Sequence, residues 1–121
     1  MPNITVDYSA TMAHDFDPAA FAAALHSSVV EIAAAKPEAC KTLFRKADAT
    51  AFGYEDPREA RHAVVHVTVG LLAGRTDETK ARLTEAVLEL LREHVPAERD
   101  FVLHASAEIR DLDPSYRKFE G

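Results

Sequence analysis

The apolar residues of this 121-residue chain change period in a set order, two residues, then about 3.6, then two again, and the order runs twice. Asn3 to Ser9 alternates as a strand does. At Asp17-Pro18 an acidic cap precedes a proline at the first helical position, and the spacing predicts a helix from there to about Ala35, ended by Lys36-Pro37. Its Phe21, Leu25, Ser28, Val29 and Ile32 share one face, the mark of a helix with a single buried side. A strand is expected over Leu43 to Phe52, then a turn or longer loop at Gly53 to Pro57. The second pass begins at His62. There Ala63, Val65, Val67, Val69 and Leu71 point one way, and His62, Val64, His66 and Thr68 the other. Thr76 and Asp77 can cap a helix whose core face is Leu83, Val87, Leu90, Leu91 and Val95, with Pro96 at its end. Phe101 to Arg110 alternates again, Phe101, Leu103, Ala105, Ala107 and Ile109 sharing a side.

Two strands joined by a crossover helix are expected to lie parallel with a right-handed connection. Two such units predict an α+β, two-layer fold: a four-stranded mixed sheet with both helices on one face. The expected organisation is a single domain over residues 1–121, with a pseudo-repeat of roughly 1–55 and 61–112. An apolar content of 47% is enough for a core at this length. The uncovered sheet face would carry Asn3, Thr5 and Asp7, then His62, Val64, His66 and Thr68, then Val102, His104 and Ser106. Such a polar and small face can meet solvent or pack against other subunits in a closed ring, which would also hide strand edges.

Fourteen basic against twenty acidic residues leave a net charge of −6, which argues against nucleic acid or an anionic membrane as the main partner. A small acidic molecule held by a few local arginines remains compatible with it. The one cysteine, Cys40, has no internal disulfide partner, so a reducing compartment is expected, and its bland reading is a small packed residue. No apolar run reaches the length of a membrane span, and the N-terminus lacks the pattern of a signal peptide. A soluble, cytoplasmic protein is the expectation.

Pro2 stands behind the initiator Met1 and directly before a strand. Removal of Met1 would leave a secondary amine there; an α-amino group has a pKa of about 7.7–8.0, and burial or a nearby cation lowers it. Such a nitrogen could act as general base and then as general acid. The bland alternative is a proline tolerated at a first strand position, where no ladder donor is missed. Gly74-Arg75-Thr76 places a guanidinium where a strand gives way to a helix, and Arg offers a bidentate fork for a carboxylate. A solvated Arg75, with Asp77 and Glu78 serving the helix end, is the competing reading. Lys41, Arg45 and Lys46 supply further cations. His62 and His66 have a zinc-like spacing, but four strand residues span about 13 Å, too far to share an ion. His104 is a possible cross-sheet neighbour of His66, and Glu108 to Asp113 reads as a solvated strand end. Phosphate loops, serine elbows and helical zinc signatures are absent.

Three segments together carry a resemblance: residues 1–9, Met-Pro-Asn-Ile-Thr-Val-Asp-Tyr-Ser; His66-Val67-Thr68-Val69 running into Ala73-Gly74-Arg75-Thr76; and Ser106-Ala107-Glu108-Ile109 running to Asp113-Pro114. In these the chain resembles the 5-carboxymethyl-2-hydroxymuconate isomerase family of the tautomerase superfamily, whose members use an N-terminal proline as acid and base. The resemblance implies a pseudo-repeated β-α-β fold assembled as a homotrimer. It matches Pro2 to the catalytic proline and Arg75 to a carboxylate-binding arginine. A second family arginine lies where the second strand begins; Arg45 is the available match, a few residues late, with Thr42 at the strict spacing and Lys41 as a substitute. The implied reaction converts an unsaturated 2-hydroxy di- or tricarboxylate to its 2-oxo isomer in aromatic acid catabolism, with no metal or cofactor. Two alternatives stay open: a tautomerase of another specificity, such as a phenylpyruvate-like enol tautomerase or a hydratase, and a non-catalytic trimeric binding protein in which retained Met1 blocks Pro2.

Overall fold

The computed structural model describes residues 2–56 and 58–121. The elements follow in the order β1 (Asn3–Ser9), α1 (Pro18–Ala33), β2 (Lys41–Ala47), β3 (His62–Leu71), α2 (Asp77–His94) and β4 (Val102–Asp111), with short 3-10 turns at Ala10–Asp15 and Pro37–Ala39. The four strands form one sheet in the order β2-β1-β3-β4. β1 runs parallel to β2, β3 runs parallel to β4, and the central β1–β3 pair is antiparallel. This is the expected small α+β fold, two β-α-β units joined through their first strands.

Alternation puts Ile4 and Val6 of β1 and Ala63, Val65, Val67, Val69 and Leu71 of β3 on one sheet face, all buried. Phe21, Leu25 and Val29 of α1 and Leu83, Val87 and Leu91 of α2 cover them. α1 starts where Asp17 accepts a hydrogen bond from the Ala20 N–H and Pro18 occupies the first turn. It ends at Ala34, the only non-glycine among the described residues in the left-handed region, at φ 57°. α2 is capped by Thr76, whose hydroxyl accepts from the Thr79 N–H at 3.1 Å.

Two boundaries differ from expectation. The second strand occupies Lys41–Ala47 rather than Leu43 to Phe52. Its length follows from β1, with which it pairs in register from Asn3↔Lys41 to Ser9↔Ala47. Beyond Ser9 the chain coils into the Ala10–Asp15 turn, so residues after Ala47 have no ladder to join. β4 begins one residue later than expected, at Val102, whose N–H donates to the Arg61 carbonyl at 2.9 Å. Pro57 of the expected loop lies outside the described residues.

Where the β1–β3 backbone ladder stops at Tyr8↔Val65, a side chain continues it. Buried Ser9 accepts from the Val64 N–H through Oγ at 2.7 Å and can donate to the Val64 carbonyl at 3.2 Å. Ser9→Ala is expected to leave that peptide unit partnerless and to lower stability by about 1–3 kcal/mol. Urea unfolding at unchanged m-value would show it, and an unshifted midpoint would remove Ser9 from the ladder's support.

Candidate active site

The topology brings the start of β1, the start of β2, the ends of β3 and β4, the C-terminus of α1 and the N-terminus of α2 to one end of the molecule. The register pairs that fix this are Asn3↔Lys41, Asn3↔Gly70 and Leu71↔Asp111. Pro2 is buried at this end, its carbonyl accepting from the Lys41 N–H at 3.3 Å. Gly70 has no side chain to spare: a Cβ there would stand 2.8 Å from Leu112 Cδ2 and 3.3 Å from the Asn3 carbonyl.

Arg75 reaches the same end through a turn that only glycine adopts easily. Gly74, at φ 124°, swings the chain from β3 into α2 and sends the Arg75 side chain back toward α1. Its guanidinium donates to the Ala33 carbonyl from Nη2 at 3.0 Å and Nε at 3.3 Å, and to the Leu72 carbonyl from Nη1 at 3.1 Å. Ala33 is the last residue of α1, where carbonyls lack intrahelical partners and the helix dipole favours a cation. Three of the five guanidinium N–H groups hold the side chain in place, which leaves two for a ligand.

Beside Arg75 lies a cavity of about 470 Å³. Its wall includes Ala34, Ala35 and Ala39, with Lys36, Arg75 and Lys118 as cations and Glu38 and Glu120 as carboxylates. Lys118 and Glu120 arrive from the far end of the chain. After β4, the Leu112 N–H donates to the Leu71 carbonyl at 2.7 Å, and Asp113 builds a turn by accepting the Ser115 N–H on its side chain and the Tyr116 N–H on its carbonyl. That turn folds residues 117–121 back along the molecule. The sequence offered only Asp113-Pro114 as a sign of it, and nothing in the spacing pointed to Lys118, Glu120 or Lys36 as cavity residues.

Lys41 begins β2 beside Pro2 and is exposed, its Nζ donating to the Ala39 carbonyl at 3.4 Å. Arg45 does not meet Pro2 within the protomer. It stands four residues further along β2, about 13 Å from Lys41 at strand rise. In-register pairing places it opposite Asp7, whose carboxylate takes Nε at 2.7 Å and Nη2 at 2.9 Å on the uncovered sheet face. Thr42 turns to the helix face and bonds His26 at 2.7 Å. Burial pushes the Cys40 thiol up and keeps it a poor nucleophile.

The histidines gather elsewhere. The β3–β4 register sets Ser106, not His104, opposite His66, and its Oγ lies 2.7 Å from His66 Nδ1. His104 instead meets His62, Nε2 to Nδ1 at 2.9 Å, with Glu55 on the other ring nitrogen of His62 and Phe52 stacked on both rings. A smaller cavity of about 170 Å³ adjoins them, at the opposite end of β3 from Arg75. Among the described residues, no group of three or more His, Cys, Asp or Glu is placed to hold a metal ion. No helix among them is long and apolar enough to cross a membrane.

The family model for 5-carboxymethyl-2-hydroxymuconate isomerase matches residues 2–119, from Pro2 to the residue after Lys118. The chain belongs to that family. Its activity class is that of an isomerase or tautomerase. Solved structures agree on the fold: a 5-carboxymethyl-2-hydroxymuconate isomerase from Deinococcus radiodurans R1 superposes with a TM-score of 0.73 at 22% identity, over 98% of this chain and 90% of that one. A macrophage migration inhibitory factor from Oncomelania hupensis gives a TM-score of 0.73 at 18% identity, over 100% and 80%. A structure described as a Q0 fused 4-OT wild type symmetric trimer gives 0.65 at 23% identity, over 91% and 85%. No curated protein matches the isomerase in sequence.

The Arg45–Asp7 pair gives a pH-dependent prediction. Hydrogen bonds from Arg45 hold the Asp7 carboxyl below its usual range against a smaller opposing effect of burial, helped by the charges of Arg45 and His66. A depressed folded-state pKa stabilises above the unfolded value, about 3.9, and that contribution disappears as pH falls through the folded one. Both side chains are well exposed, so solvent screens the pair and the effect is small. Arg45→Gln is expected to raise the Asp7 pKa in a carbon-13 NMR titration and to lose stability at pH 7 but not once the pH has fallen below the lowered folded-state pKa. An Asp7 titration that does not move would dissolve the pair.

Proposed function

We propose that the isomerase converts the dienol of an unsaturated 2-hydroxy di- or tricarboxylate, of the 5-carboxymethyl-2-hydroxymuconate type, to its 2-oxo isomer. Pro2, Arg75 and the cavity that Arg75 shares with the chain's tail form the site, in one tautomerase-like domain over residues 1–121. The observation that carries this reading is Arg75: a guanidinium anchored on the C-terminus of α1, with free donors at the end of the sheet where Pro2 is buried. The family match over residues 2–119 supports the substrate type.

With Met1 removed, the Pro2 nitrogen has a lone pair. Burial and the cations at this end favour its neutral form, so it takes the proton of the 2-hydroxyl group. The oxygen becomes a carbonyl, the two double bonds of the diene become one between C3 and C4, and the prolinium returns the proton to C5 at the far end of the diene. Nothing is oxidised or reduced overall. Arg75 holds a substrate carboxylate, and guanidinium charge offsets the negative charge that develops on the oxygen. The proton leaves and returns through one nitrogen, so the step calls for no cofactor or metal. Arg45 was the matched second anchor, and it would have to leave Asp7 or act from a neighbouring subunit. A homotrimer supplies such a neighbour and covers the open sheet face; the trimeric neighbour structure supports that assembly. The setting is cytoplasmic breakdown of aromatic acids.

One observation favours a second reading. Arg45 is tied to Asp7, so a single protomer offers one anchoring arginine, as a tautomerase of monocarboxylic enols such as phenylenolpyruvate would need.

Ketonisation of 2-hydroxymuconate, followed in the ultraviolet, is expected to fall about a hundredfold or more in Pro2→Ala with the fold unchanged by circular dichroism. An undiminished rate would remove the nitrogen from the chemistry. Arg75→Lys keeps a charge and loses the fork, and is expected to lower kcat/KM about tenfold to a hundredfold. Equal turnover of phenylenolpyruvate and 2-hydroxymuconate would favour the second reading. Sedimentation is expected to give three times the 13.3 kDa protomer mass; a monomer would overturn the trimer.

A further inference from the structure

The cavity beside Arg75 already holds a carboxylate, and it belongs to the chain itself. Glu120 lies in the wall, where its Oε1 accepts from Lys118 Nζ at 2.7 Å. The Lys118 side chain is 36% exposed and that of Glu120 61%. Lys118 draws the Glu120 carboxyl below its usual range, first by the hydrogen bond and then by its charge, and the charge of Lys41 adds to it. Glu120 therefore shows Lys118 engaged with a carboxylate at the cavity wall. That carboxylate shares a cavity with the Arg75 guanidinium and is reached by the field of Lys41, the residue bonded to Pro2. The wall carries three cations, Lys36, Arg75 and Lys118, against two carboxylates, Glu38 and Glu120. Once Glu120 swings away, the balance becomes three against one.

We propose that Lys118 is the second carboxylate anchor of the substrate site, opposite Arg75, and that Glu120 occupies this anchor until a dicarboxylate displaces it. The inference rests on the reading of the Arg75 cavity as the substrate site. It answers the problem that Arg45 poses: the cation for the far carboxylate comes from the tail, folded back by the Asp113 turn, and not from β2. It also gives the site a preference. A dicarboxylate replaces Glu120 on Lys118 and leaves neither Arg75 nor Lys118 without a carboxylate, whereas a monocarboxylate fills only the Arg75 end and leaves Glu120 where it is. A flexible ammonium suits a group that must exchange one carboxylate for another, since its three donors rotate freely. The pair is solvent-facing, so its effect weakens with salt.

The test uses two ligands that share a trans,trans six-carbon diene and cannot ketonise, trans,trans-muconate with two carboxylates and sorbate with one. They are titrated by calorimetry into the Met-free protein, Lys118→Ala and Glu120→Gln at low salt, beside 2-hydroxymuconate turnover by all three. Wild type is expected to bind muconate more tightly than sorbate. Lys118→Ala is expected to weaken muconate about tenfold and to leave sorbate unchanged. Glu120→Gln is expected to tighten muconate about threefold, by removing the internal competitor. Unchanged muconate affinity in Lys118→Ala, an equal loss for both acids, or no preference in wild type would overturn the proposal. Muconate preference that depends on Lys118 in a protein without turnover would uphold the anchor and defeat the catalytic reading. Turnover with a KM indifferent to Lys118 would do the reverse.

Discussion

The antiparallel pairing of β1 with β3 is the constraint from which the rest of the arrangement follows. Each β-α-β unit is parallel within itself and leaves the inner edge of its first strand to be satisfied. Joining the two units through their first strands, from Asn3↔Gly70 to Tyr8↔Val65, satisfies both edges and puts both helices on the same face. The seven buried side chains that β1 and β3 point toward the helices then form the floor of one core. The same pairing sets the start of one unit against the end of the other unit's first strand. Pro2, the Gly74 turn and Arg75 come to one end of the molecule for that reason.

Arg75 ties the two units together and, in the proposed function, joins this scaffold to its chemistry. It belongs to the second unit, yet its donors close the last turn of α1, in the first. A guanidinium held on two backbone carbonyls has lost its rotamer freedom before any ligand arrives, so less order has to be imposed on binding. The tail supplies the opposite arrangement, a flexible ammonium already engaged with a flexible carboxylate. On the proposed reading, a rigid anchor and an exchangeable one on the walls of a single cavity would suit an elongated anion with unlike ends.

Strands and helices were readable where period and caps agreed. β1 and β3 appear over the residues expected of them, and both helices begin at the caps that Asp17 and Thr76 announced. The second strand was misplaced because its alanines dilute alternation, and because the length of a parallel edge strand is set by its partner. The histidine pattern was legible as polar residues on an uncovered face. Which of them meet was not, since a shift of the β3–β4 register by two residues exchanges Ser106 for His104 opposite His66.

The order of elements, the buried face of each and the candidacy of Pro2 and Arg75 lay in the sequence, because periodicity, capping and turn chemistry act over a few neighbouring residues. Where cations lie relative to those two was decided by tertiary structure alone. Arg45 and Lys118 are both basic residues in polar surroundings, and no local rule separates them. Strand register carries Arg45 to Asp7, and the Asp113 turn carries Lys118 to the cavity of Arg75. Charge acts through space over distances that pair residues far apart in the chain, so its partners are named only once the backbone has brought them together.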